Sequence, residues 1–193
     1  MIKILLFISC SLLFLGNDCH LFSGYVGRKY VGPDDKNKAI FDECYSSWTH
    51  PKNVLENTRN NYVSSSNSVD IMRARRAITG FYCFGLKRAF VSDTNNDVWW
   101  SIDLIDTFKL KYILLVVPLN DNNSDSYFEN VSIRFGNESQ HGTNPEIITH
   151  TQPITDKYPV KLQPKNPISG RYLSFERSTG KLGIAELIVV KDI

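Results

Sequence analysis

The chain has 193 residues, 42% of them hydrophobic and 22% charged, with a formal net charge of +2. That length fits one domain with an extension, and the apolar fraction supports a sizeable core. The charge is too small to point to nucleic acid or an anionic membrane as partner. No stretch after the N-terminus supplies the roughly 20 apolar residues that a membrane span needs.

The N-terminus carries Lys3, an apolar run from Ile4 to Leu15, and then Gly16, Asn17 and Asp18. This pattern reads as a secretory signal peptide over residues 1–19, with cleavage near 16–19, and predicts a secreted, extracellular protein. Cys10 leaves with the signal; Cys44 and Cys83 remain, and Cys19 depends on the cleavage point. In an oxidising compartment a Cys44–Cys83 disulfide is expected, closing a loop of about 40 residues and contributing about 3–4 kcal/mol. A retained Cys19 would pair intermolecularly or displace one of the two. Sequons at Asn122, Asn130 and Asn137 agree with secretion and mark N-glycosylation sites.

Residues 20–52 form an N-terminal extension. Gly24, Gly27, Gly32 and Pro33 make its first half loop-like. Asp34 or Asp35 can cap a short helix from Lys36 to about Cys44, with Ala39, Ile40 and Glu43 at helical spacing; Pro51 ends the segment. From Asn53 the pattern turns to strands. Residues 60–67 are a polar strand or loop. Residues 71–82 carry Arg73, Arg75 and Arg76, read as a solvated strand edge, or with Lys87 and Arg88 as a basic patch. Residues 92–97 are a turn cluster before Trp99. Ile102, Leu104 and Ile105 then alternate imperfectly with Asp103 and Asp106, and a second, buried strand runs from Lys109 to Val117. Val131–Phe135 has period two, and further strands fall at 147–148, 160–162, 172–175 and 184–190. Many short strands between turns, with no long helix, predict an all-β, antiparallel jelly-roll β-sandwich over residues 53–193.

Chemistry-bearing residues are few. Trp99 and Trp100 point to opposite faces of a strand, so at most one can meet a ligand and the other belongs to the core. The acidic, amide-rich stretch from Asn120 to Tyr127 is either a sugar or calcium loop, with Asp121, Asn122, Asp125 and Tyr127 as candidate ligands, or a glycosylated hairpin. His50, His141 and His150 lack metal spacing. No nucleophile elbow, zinc-protease motif, phosphate loop or Cys–His pair is present, and enzymatic activity is not expected.

Four segments, in order, resemble a known superfamily. Residues 53–80 (NVLENTRNNYVSSSNSVDIMRARRAITG) resemble the opening of a discoidin-type domain, and WWSIDL at 99–104 its tryptophan-acidic strand. ENVSIRFGN at 129–137 is similar to the "V-x-I-R-x-G-N" strand of the F-type lectin branch, the fucolectin–tachylectin–pentraxin domains. SGRYLSFERSTGKLGIAELIVV at 169–190 resembles that branch's last two strands. The likeness spans residues 53–191.

The resemblance implies a galactose-binding-like sandwich that, in its lectin members, binds fucose at one rim through a His and two Arg, whose cationic donors bond sugar oxygens. Carried onto this chain, the first Arg falls at Pro118, with Asn120 opposite the Asp of the family's "R-G-D". The second falls in residues 122–128 and the His in residues 87–97; neither stretch holds the required residue. The family's structural calcium would use a turn Asp, replaced here by Thr79, and a last-strand Glu, matched by Glu186. Calcium takes several oxygens including carboxylates, so this site is eroded. Ala185 stands where the family has a Cys, which leaves Cys83 free for Cys44.

The sequence thus predicts a secreted, fucolectin-related carbohydrate-binding module whose usual fucose-binding residues are missing, so that its ligand is altered or unknown. Its rim would be built from residues 60–68, 92–97 and 120–127, with Asn95, Asn120, Asp121, Asn122, Asp125 and Tyr127 as ligand residues. Calcium is the one cofactor implied. The expected partner is a glycan or an extracellular protein, with no nucleic acid and no membrane span, and with oligomers left open. The alternative is a non-lectin adhesion or assembly protein that uses the sandwich, with residues 20–52, for protein contacts.

Overall fold

The computed structural model describes residues 29–30, 44–45, 54–55, 63–66, 71–79, 82–83, 89–118, 126–155 and 159–192. In chain order these form β1 (Lys29–Tyr30), β2 (Cys44–Tyr45), β3 (Val63–Ser65), a one-turn helix α1 (Ile71–Ala74) continued by a 3-10 turn (Arg75–Ile78), β4 (Tyr82–Cys83) and β5 (Phe90–Val91). The long β6 (Asn96–Val116) follows, then β7 (Val131–Gly136), β8 (Glu146–His150), β9 (Val160–Leu162), β10 (Ile168–Thr179), β11 (Gly183–Ile184) and β12 (Glu186–Lys191). All strand pairings among the described residues are antiparallel.

β6 organises the sandwich. Its first half pairs with β3 (Trp100↔Ser65) and with the end of β10 (Asn96↔Thr179), and β10 leads on to β7 and β8. Its second half pairs with β12 (Val116↔Glu186), β9 (Ile113↔Leu162) and the start of β10 (Leu110↔Ile168). Between the halves Ile105 adopts φ 71°, and the β10 register slips between Gly170 and Tyr172. Side chains from both halves, Val98, Trp100 and Ile102 on one and Ile113 and Leu115 on the other, enter one core. The β6–β10 ribbon is therefore bent round that core. Its bend forms one pole, and both ends of β6 lie at the other, where Thr179, Glu186 and their connection gather.

Alternation produces this packing. Val98, Trp100, Ile102 and Leu104 are buried, while Trp99, Ser101 and Asp103 face the opposite side at half burial. The Trp100 indole N–H donates to the Ala74 carbonyl at 2.9 Å, fixing α1 over the core.

Three local expectations need correction. Residues 71–78 are helical rather than a strand edge: Met, Ala and Arg are good helix formers, and Ala74 and Ala77, three apart, both reach zero exposure. The two strands expected across 99–117 are one strand of 21 residues. Cys44 belongs to β2, not to a helix end; the remainder of the helix expected from Lys36 lies outside the described residues.

Candidate functional site: the rim where both ends of β6 meet

Three connections converge at the pole opposite the bend. The Gly180 N–H donates to the Asn95 carbonyl, the Gly183 N–H to the Tyr127 carbonyl at 2.9 Å, and the Ser92 N–H to the Leu182 carbonyl at 2.9 Å. Segments 92–97 and 126–130 are thus tied to the 180–183 turn and so to each other. Gly180 permits this turn through φ 90°. Gly183 permits the closest approach, because a Cβ there would lie 2.8 Å from Pro118 Cγ and from Tyr127 Cβ.

A buried arginine holds the rim in shape. Arg177, 9% exposed, donates from Nη1 to the Ser126 carbonyl at 2.8 Å and the Lys181 carbonyl at 2.6 Å, with Glu129 Oε2 at 3.9 Å from Nη2. Ser126 accepts the N–H groups of Phe128 and Ile154 on its hydroxyl, both at 3.1 Å. Charge-assisted bonds to carbonyls suit this task because a guanidinium offers several donors in one plane. Beside the rim, Arg73 pairs with Asp93 at 2.7 Å, both about half exposed.

Of the sequence candidates, Asn95 lies exposed on this rim and Tyr127 half-buried against the core beside it. Asn120, Asp121, Asn122 and Asp125 lie outside the described residues, as does most of segment 60–68 apart from Val63–Ser66. Pro118, where the resemblance places a sugar-binding arginine, is buried. Asn130 and Asn137 are exposed, Asn130 in the left-handed conformation (φ 51°) that asparagine tolerates.

The calcium residues carried over by resemblance do meet: the Thr79 hydroxyl donates to Glu186 Oε2 at 2.9 Å. Glu186 is 2% exposed. The two oxygens share a proton instead of turning lone pairs on a common cation, and among the described residues no three His, Cys, Asp or Glu side chains cluster. These two residues alone supply fewer oxygen ligands than calcium takes.

A second polar cluster, on the outer face of the β6–β10–β7 sheet, escaped the sequence reading. The 137–145 connection lies across that face and stacks His141 on Trp99, centroids 4.1 Å apart and planes at 15°. Beneath it Arg134 bonds Glu176 Oε2 at 3.1 Å and the Asn144 carbonyl at 3.0 Å, and Ser174 donates to Glu176 Oε1 at 3.0 Å. The Glu146 carboxyl is held below its ordinary range by hydrogen bonds from Thr149 and Ser132, with Arg134 adding to them. Trp99 was legible as outward-facing from its adjacency to Trp100, but its partner, in the loop that follows β7, was not. Both rings cover each other, and this cluster fastens the loop.

Among the described residues no helix is long and apolar enough to cross a membrane. No protein-family profile and no curated protein matches the sequence. Solved structures do match in shape. The lectin domain of lectinolysin complexed with Lewis B antigen is 19% identical over 75% of this chain and 100% of that one, with a TM-score of 0.60. A fucolectin from striped bass (Morone saxatilis) serum is 18% identical over 72% of this chain and 48% of that one, TM-score 0.62. The family 32 carbohydrate-binding module of Clostridium perfringens NanJ, in complex with galactose, is 15% identical over 67% and 92%, TM-score 0.52. The chain therefore has the discoidin-like, galactose-binding-like β-sandwich fold that these lectin and carbohydrate-binding modules share.

Proposed function

We propose that the protein is an extracellular, non-catalytic carbohydrate-binding module that takes its ligand at the rim formed by segments 92–97, 126–130 and 180–183. The observation that carries this reading is the joining of the Asn95 and Tyr127 segments through the 180–183 turn, which makes one surface of residues distant in sequence. Asn95, with Tyr127 and the amides and carboxylates of Asn120, Asp121, Asn122 and Asp125 in the adjoining connection, would bond sugar hydroxyls. Amide and carboxylate groups serve neutral sugars as well as guanidinium does, with different geometry. Pro118, buried beside Gly183 at the position the resemblance assigns to an arginine, supports a specificity other than the usual fucose one. The predicted signal peptide and the exposed sequons at Asn130 and Asn137 support secretion as a glycoprotein.

A glycan array run with and without EDTA tests the proposal. Binding to neutral glycans, insensitive to chelation and weakened about fivefold or more by Asn95→Ala, is the expected result; fivefold corresponds to one lost hydrogen bond of about 1 kcal/mol. Fucose binding abolished by EDTA would contradict both the altered specificity and the expected insensitivity to chelation. The buried Pro118 also favours a second reading, a protein-binding adhesion or assembly module. No glycan binding together with a stable dimer would select it.

A further inference from the structure

Two cross-strand rows make up the outer face of the β6–β10–β7 sheet. Ser64, Ser101, Ser174, Arg134 and Glu146 stand opposite one another across β3, β6, β10, β7 and β8, and Trp99, Glu176, Ser132 and Thr149 form the row beside them. Directly opposed residues share a face, so hydroxyls and carboxylates surround Trp99, the one apolar side chain in either row. The two adjacent tryptophans differ in what they leave free. Trp100 is fully buried and its indole N–H donates to the Ala74 carbonyl. Trp99 bonds Ser66 through its backbone, and among the described residues its indole N–H has no acceptor. His141 covers the Trp99 ring, but it is lightly held. Its side chain is 40% exposed, and its Nδ1 lies 4.0 Å from Glu176 Oε1, beyond hydrogen-bond reach. The base of the 137–145 connection is closed without it. Asn144, 3% exposed, accepts the Glu138 N–H at 2.9 Å and donates to the Glu138 carbonyl at 2.7 Å, and the Phe135 N–H bonds the Pro145 carbonyl at 3.2 Å. His141 can therefore leave the indole while the base of the loop stays in place.

We infer that Trp99 is the platform of a second carbohydrate site, in which a neutral hexopyranose takes the place of His141 on the indole. The C–H face of a pyranose carries partial positive charge and suits the negative face of the aromatic ring. Its hydroxyls meet the Trp99 N–H as donor and the Glu176 carboxylate as acceptor. Glu176 keeps capacity for this: Oε1 accepts from Ser174 at 3.0 Å and Oε2 from Arg134 at 3.1 Å, and a carboxylate has about four lone-pair sites. Charge selects the class of sugar. Arg134 lies between Glu176 at 3.1 Å and Glu146 at 3.8 Å, so one cation faces two carboxylates. The excess negative charge disfavours sialylated and sulfated sugars. This site shares its ligand class with the proposed rim but none of its residues, so either can fail without the other.

Proton–nitrogen NMR spectra of the full chain, titrated with methyl β-galactoside, methyl β-glucoside and methyl α-mannoside, test the inference. At least one of the three is expected to move the Trp99 indole N–H saturably and leave that of Trp100 in place. His141→Ala uncovers the platform and should tighten binding about two- to tenfold, the range that an aromatic pair contributes. Asn95→Ala should leave this binding unchanged. Movement of the Asn95 amide with a stationary Trp99 indole would place all binding at the rim and overturn the inference. No Trp99 response in His141→Ala, with an unshifted Glu138 amide showing the loop base intact, would overturn it as well. So would weaker binding in that variant, because the histidine would then belong to the site instead of covering it. A response to sialyllactose and to none of the neutral glycosides would overturn the class of sugar. The wild-type titration needs no substitution, so it decides the matter even where a variant fails to fold.

Discussion

Ile105 sits at φ 71° and is 48% exposed, a combination that a β-branched residue rarely adopts. Its conformation is imposed by Asp103, whose Oδ1 accepts the Ile105 N–H at 2.8 Å while both carboxylate oxygens accept from Arg171 at 2.7 Å. The Arg171 fork holds the Asp103 carboxyl below its ordinary range, partly offset by burial, and the Arg171 guanidinium is raised in turn. Ile105→Asn, suited to this backbone region, is expected to raise unfolding stability by about 1 kcal/mol. Asp103→Ala should lower it by about 1 kcal/mol from the bond to Ile105 alone. Urea denaturation of both variants checks the pair, and a destabilised Ile105→Asn would show that the isoleucine contributes packing. A second residue governs pH response. His150 Nε2 is buried without a hydrogen-bond partner, and its ring lies 5.7 Å from Phe128. Desolvation holds its pKa below the ordinary 6.5, partly opposed by a backbone bond involving Gln152. Because the unfolded chain then binds the proton first, stability is full above about pH 6.5 and declines as pH falls below it. The thermal midpoint should drop on acidification from pH 7.5 to 5.5, and His150→Gln should flatten that slope; an unchanged slope in the variant would assign it to other groups.

At the scale of elements, the rim depends on how closely the 180–183 turn approaches its neighbours. In Gly183→Ala the added methyl would lie 2.8 Å from Pro118 Cγ and Tyr127 Cβ, and none of these is the free end of a flexible side chain. Overpacking of this kind costs about 1–3 kcal/mol, and the displaced Tyr127 segment should carry a loss of glycan affinity with it. Calorimetry beside a binding assay distinguishes this from a site-neutral change, which would leave affinity intact in the folded fraction. Strands with clean period two, β7 and β9 among them, were legible within a residue of their bounds, since each has one buried face. The continuity of β6 was not, because Ile105-Asp106-Thr107 looks like a turn and becomes a bend within a strand only through the Asp103–Arg171 fork supplied by β10. The helical turn at 71–78 hides for a related reason: eight residues are too few for a helical period, and the Trp100 indole that fixes it comes from elsewhere in the chain. Spacing along the resemblance was enough to bring Thr79 to Glu186 and Asn95 to the Tyr127 segment, while the His141–Trp99 stack follows from a loop path that no local pattern encodes.

For the molecule as a whole, the extension and the sandwich are joined where β2 meets β4. Cys44 stands opposite Cys83 in an antiparallel register. Directly opposed residues in such ladders have Cα atoms about 4.5–5.5 Å apart, inside the range of about 4.4–6.8 Å that a disulfide requires. The bond would close a loop of about 40 residues and restrict the unfolded chain by about 4 kcal/mol in the chain-entropy model. A chain of this size shifts its midpoint by about 2–4 °C per kcal/mol, so reduction under native conditions should lower the thermal midpoint by roughly 8–16 °C. Cys44→Ser and Cys83→Ser should each reproduce that loss, and neither should add to the other, because one bond is removed in both. A non-reducing peptide map showing Cys44 joined to Cys83 establishes the link, and free-thiol labelling of both cysteines in the purified chain would exclude it. Because β4 leads within six residues to Ala89, which is buried with Tyr112 and Val116 of β6 and Ile188 and Val190 of β12, the same reduction should speed hydrogen exchange along β12 more than along β7, which pairs with β8 and β10.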